Sequence, residues 1–131
     1  MYERTTGEIT ITVRPDYLDE ESDPDEGLYV WSYTVEIENR GAAPIQLLTR
    51  EWRITDARGR TRVIHGEGVV GEQPVIEPGD RFRYTSGAPL ETPSGFMAGS
   101  YGMRRTGDGA RFDAEIPAFA LDTPFDRNSL H

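Results

Sequence analysis

The chain has 131 residues, no cysteine and a formal net charge of -9. That length gives one domain with a real core. Without thiols there is no disulfide, Cys-ligated zinc, iron-sulfur cluster or redox switch. The acidic balance argues against a generic affinity for nucleic acid or anionic membrane. The first thirty residues are polar and acidic, and no window holds eighteen consecutive apolar residues. Membrane insertion is therefore not expected, and a cytoplasmic location is. All fourteen basic residues are arginine.

Alternation dominates the chain. Ile9, Ile11 and Val13 alternate with Thr10, Thr12 and Arg14, which predicts a first strand from about Glu8 to Arg14. Residues 15–27 follow, with seven acids and no base, and read as a mobile acidic loop. Tyr29, Trp31, Tyr33, Val35 and Ile37 then share one face of the clearest strand, opposite Ser32, Thr34, Glu36 and Glu38. Turn chemistry at Asn39 to Pro44 leads to a third strand over Ile45 to Thr55. The turn Asp56 to Gly59 leads to a fourth at Arg60 to His65, and a glycine-rich connection to a fifth around Gln73 to Ile76.

Pro78 and Gly79 mark a turn before a sixth strand at Arg81 to Thr85. A loop from Ser86 to Gly95 precedes two last strands, Phe96 to Arg105 and Arg111 to Leu121, around a Gly-Asp-Gly turn. Pro117 in the last of these predicts an edge or a bulge. The polar tail from Asp122 to His131 is expected to be loosely held. About eight short strands at this spacing predict a single all-β domain, an antiparallel sandwich.

Four features invite a functional reading. Gly66-Glu67-Gly68-Val69-Val70-Gly71 satisfies G-x-G-x-x-G, but no helix follows, so a dinucleotide fold is not expected. Two uses of the loop stay open: a tight bend, which glycines ordinarily serve, or a nest of N–H groups that holds a pyrophosphate or nucleotide. Arg60 and Arg62 precede it, with Arg50 and Arg53 on the strand before. On one strand face Arg60 and Arg62 would clamp an anion; otherwise they form a solvated face. Asp19, Glu20, Glu21 and Asp23 offer oxygen ligands to a hard cation, although their spacing fits no loop template. His65 and His131 are the only histidines, and no G-x-S-x-G elbow is present. Neither catalysis nor a cofactor is expected.

Longer runs carry a family resemblance. Arg50-Glu51-Trp52-Arg53-Ile54-Thr55-Asp56, the stretch Gly66 to Pro74, Pro78-Gly79, Tyr84-Thr85-Ser86-Gly87, the stretch Leu90 to Met97, Gly99 to Met103 and Ile116 to Leu121 together resemble the ApaG family. The resemblance implies a fibronectin type III-like sandwich in a small bacterial protein. It also implies kinship with the carboxy-terminal domains of certain F-box proteins, and therefore a role in protein contacts. An association with cobalt and magnesium efflux and with diadenosine tetraphosphate metabolism comes with it, and no catalytic residue does. The expectation is a non-enzymatic module that binds a protein partner. The alternative is a pyrophosphate or nucleotide binder at Gly66, Gly68 and Gly71 with Arg60 and Arg62.

Overall fold

The computed structural model describes residues 1–124. Among these residues nine strands form two antiparallel sheets: β1 (Tyr2–Thr6), β2 (Ile9–Tyr17), β3 (Tyr29–Asn39), β4 (Ile45–Asp56), β5 (Thr61–Glu67), β6 (Val75–Ile76), β7 (Arg81–Leu90), β8 (Gly95–Arg105) and β9 (Arg111–Leu121). The first sheet has the order β1-β2-β3-β7 and the second β5-β4-β8-β9, with the short β6 paired to β4.

Alternation produces the sandwich because each strand has one apolar row to bury. Ile9, Ile11 and Val13 of β2 and Trp31, Tyr33, Val35 and Ile37 of β3 are buried against Trp52, Ile54, Met97, Tyr101, Ile116 and Phe119 of the second sheet. Tyr33 meets Trp52 edge-on at 5.2 Å, and Trp52 meets Phe119 at 5.9 Å. Trp31 donates its indole N–H to the Asp122 carbonyl at 2.8 Å, so the largest buried side chain has its polar atom satisfied.

Several element boundaries move. A strand not foreseen, β1, pairs with β2 through a turn at Gly7, whose φ is 58°. β2 runs on through Pro15 to Tyr17, so the segment expected as a loop from Pro15 begins as strand. Its remainder folds into two single-turn 3-10 helices, Asp19–Glu21 and Pro24–Glu26. Arg60 falls in the turn before β5 rather than in the strand. β7 absorbs Ser86 to Leu90, half of an expected loop, because Ala88 and Leu90 continue the buried row of Tyr84. Opposite β8 the register jumps from Met97↔Phe119 to Gly99↔Ile116, so Pro117 and Ala118 form the expected bulge. Asp122 and Thr123 of the expected loose tail are held, Thr123 being buried. Residues 125–131 lie outside the described residues.

β9 packs across β1 and β2 at one side of the sandwich. At the other side β5 and β7 are the two terminal strands, facing each other across a cleft.

Candidate functional site

The glycine-rich loop is a tight structural connection. The Gly68 amide donates to the Leu48 carbonyl at 2.8 Å, and Val69 and Glu72 exchange backbone bonds of 2.8 and 2.9 Å around Val70 and Gly71. Both central residues have positive φ, 43° and 80°, as a two-residue hairpin turn of the primed type requires. Gly68 has φ 64°, and a Cβ there would collide with the Glu72 carbonyl oxygen. Two amides that a nest would need are thus already bonded, Gly68 to Leu48 of β4 and Val69 to Glu72 within the loop.

Gly66 has a different reason to be glycine. The Arg50 guanidinium lies flat on it, and a Cβ would meet that group at 2.5 to 2.6 Å. Arg50 Nη1 donates to the Glu67 carbonyl at 3.0 Å and the Gly68 carbonyl at 2.8 Å, which pins the loop to β4. Arg50 shares the row of Trp52 and Ile54, so it faces inward. A charge in an otherwise apolar row was the signal in the sequence that Arg50, rather than Arg60 or Arg62, serves this loop. Beneath it lie Tyr33, Tyr84 and Tyr101; the Tyr84 and Tyr101 hydroxyls are hydrogen bonded to each other. Burial is the largest influence on all three phenols and raises each pKa, and the Arg50 charge works the other way.

Arg60 and Arg62 do come together, at the opposite end of β5. Arg62 pairs with Ile54 and Gly66 with Arg50 in the β4 ladder. Four residues of strand, about 13 Å, therefore separate the arginines from the glycines. Asp56 opens a hairpin in which the Gly59 amide donates to the Asp56 carbonyl and the Asp56 amide to the Arg60 carbonyl, both at 3.0 Å. Its carboxylate accepts from the Arg58 and Arg60 amides and, at 2.9 Å, from Arg60 Nε. Desolvation tends to raise the Asp56 pKa, but these donors outweigh it and hold it below the usual value. Arg60 also lies 3.6 Å from Glu91. Arg62 makes no ion pair among the described residues. Both arginines line a cavity of about 440 Å³ with Leu28, Ile54 and Leu90.

Hydrogen bonds of Ser22 and the backbone shape the acidic segment. Ser22 Oγ donates to the Leu18 carbonyl at 2.7 Å and accepts the Val30 amide at 2.9 Å, while Asp23 and Leu28 exchange backbone bonds of 2.7 and 2.9 Å. Asp19, Glu20, Glu21 and Asp23 are all exposed on these turns. Two separate 3-10 turns spread the carboxylates outward. Among the described residues no group of three or more His, Asp or Glu is gathered as a metal would need. His65 instead sits 3.5 Å from Glu51 on the outer face of the second sheet.

A further surface feature is the outer edge of β5. The bonds Asp56 N to Arg60 O and Gly68 N to Leu48 O bracket the β4–β5 ladder and fix its phase. Residues 62, 64 and 66 therefore bond to β4, and the N–H and C=O groups of Thr61, Val63 and His65 point away from it. No strand lies beyond β5 among the described residues. Val63 is 54% and Ile64 38% exposed. Amphipathic alternation is absent here, since nearly every residue of β5 is exposed.

Comparison with known proteins places this architecture. The family model described as ApaG domain matches residues 19–105. Protein ApaG of Maricaulis maris is 64% identical over the full length of both chains, and Protein ApaG of Rhodospirillum centenum is 56% identical over 98% of each. The crystal structure of the putative ApaA protein from Bordetella pertussis superposes with a TM-score of 0.85 at 45% identity, covering 88% of this chain and 94% of that one. No helix among the described residues is long and apolar enough to cross a membrane. The chain belongs to the ApaG family.

Proposed function

We propose that this ApaG protein is a non-catalytic binding module whose protein partner adds a strand to the open edge of β5. The observation that carries the reading is the row of outward backbone groups at Thr61, Val63 and His65 beside exposed Val63 and Ile64. An unpaired edge with apolar side chains is a template for another strand, and proteins ordinarily block such edges with lysine, proline, a bulge or a covering segment. β5 carries no lysine, proline or bulge, and no covering segment lies on it among the described residues; the inward charge of Arg62 is the one blocking device it has. In this reading the cation link implied by the family belongs to the partner's pathway rather than to an ion held by this chain.

Val63→Pro tests the reading. It removes an outward N–H and leaves the ladder to β4 intact. Immobilised wild-type protein should retain a partner from source-cell extract, and the variant should lose that partner while its melting temperature stays within a few degrees. Equal retention by both proteins, or none by either, overturns the proposal.

A further inference from the structure

We infer that the strand added at β5 is an acidic one: an extended peptide of a partner protein with a carboxylate facing Arg62 and an aliphatic side chain two residues away facing Ile64. This rests on the strand-addition reading and adds its chemistry. Arg62 and Ile64 project to the same side of β5, toward the cleft between the sheets, because each alternates with Val63. A neighbouring strand places its own i and i+2 side chains opposite them.

Charge decides what faces Arg62. The cleft holds two guanidinium groups and two carboxylates, but these are not equivalent. The Asp56 carboxylate is occupied by two backbone amides and Arg60 Nε, and Glu91 reaches only Arg60, at 3.6 Å. Arg60 is therefore neutralised in place, and Arg62 is left facing the cleft without a counter-charge among the described residues. A carboxylate there completes a charge-assisted pair, for which the arginine fork is well suited.

Shape decides the rest. The floor beside Arg62 is formed by Ile54, Leu90 and Leu28, the last 40% exposed, and Ile64 extends it. An aliphatic side chain covers that floor, whereas a second charge would lose hydration without a partner. The outward amides at Val63 and His65 hold the peptide backbone. Main-chain bonds then supply affinity, and the Arg62 and Ile64 positions supply selection.

The probes are two fluorescein-labelled nine-residue peptides of threonine and valine, with isoleucine and aspartate two residues apart at the centre, or with asparagine replacing the aspartate. Fluorescence anisotropy at low salt should show the aspartate peptide binding about tenfold more tightly than the asparagine peptide. Arg62→Gln should abolish that preference and leave the weaker affinity in place. Salt at 0.5 M should shrink the preference in the wild type, as screening of an exposed pair requires. Val63→Pro should remove binding of both peptides. If both peptides bind equally and Val63→Pro removes both, carboxylate selection is overturned and strand addition stands. If Val63→Pro leaves binding unchanged, strand addition is overturned as well. No binding of either peptide at millimolar concentration overturns the inference outright.

Discussion

The two ends of the second sheet are treated in opposite ways. At β9 two of the outward amides are covered: Glu115 N donates to Thr6 Oγ1 at 3.1 Å and Ala120 N to the Tyr2 hydroxyl at 3.3 Å. The Tyr2 ring lies 6.1 Å from Phe119, and the bulge at Pro117 interrupts the edge between these two contacts. The first strand of the chain thus serves as a cover for the last. At β5 the outward amides have no such cover among the described residues, and Arg50 fixes the strand from its inner side only. A sequence able to seal one edge with a tyrosine, a threonine and a proline has the means to seal the other. That difference is the ground on which the interaction surface is proposed at β5.

The comparison can be broken at the core both edges share. Trp31→Ala, at a side chain 1% exposed, should cost about 3 to 5 kcal/mol in chemical denaturation. A melting temperature that hardly moves would mean that the sheets are not packed as described. The second test asks whether the open side admits water. Tyr33, Tyr84 and Tyr101 lie beneath it, and burial raises their pKa values. The folded protein therefore keeps protons that the unfolded chain releases near pH 10. Their stabilisation is complete below that pH and is lost as pH rises above it. Ultraviolet titration should show Tyr33, Tyr84 and Tyr101 ionising well above pH 10 or with unfolding; their ionisation near pH 10 in the folded protein would contradict a dry interior.

The third test sets the edges against each other. Tyr2→Ala should cost about 2 kcal/mol, from a lost ring contact and a lost hydrogen bond. Val63→Pro should cost less than about 1 kcal/mol, as changes at exposed edge positions do. The reverse order would invert the assignment. Of similar size and opposite sign, Val70→Gly should stabilise by up to about 1 kcal/mol, because Val70 is a β-branched residue at φ 43°. Last, pyrophosphate at low salt should leave the melting temperature unchanged. A clear upward shift would show that the remaining amides of the Gly66 to Gly71 loop form an anion site.

How far the sequence discloses this depends on how local each cause is. The buried rows of β2, β3, β4, β8 and β9 follow from alternation within a few residues, and the Pro117 bulge follows from a missing N–H. β1 is hidden because Tyr2-Glu3-Arg4-Thr5-Thr6 buries no residue fully; it is a strand only because β2 lies alongside. The acidic segment looks structureless by charge, yet Ser22 and the Asp23–Leu28 pair turn it twice. G-x-G-x-x-G matches a phosphate pattern although its glycines answer to Arg50, to the Glu72 carbonyl and to a tight turn. Edge status is the least local property of all. That β5 ends a sheet depends on the pairing of strands whose partner residues lie 39 to 60 positions apart in the chain, and no window of sequence around Val63 contains it.

Amide hydrogen exchange on the free, dilute protein, resolved residue by residue, tests the central claim most directly. Along β5 the amides of Ile64 and Gly66 should be protected by β4, and those of Thr61, Val63 and His65 should exchange at nearly unprotected rates. At the other end of the same sheet Glu115 and Ala120, whose amides also point outward, should be protected by Thr6 and Tyr2. Protection of Val63 and His65 equal to that of Ile64 would show that the β5 edge is already paired, and would contradict the account.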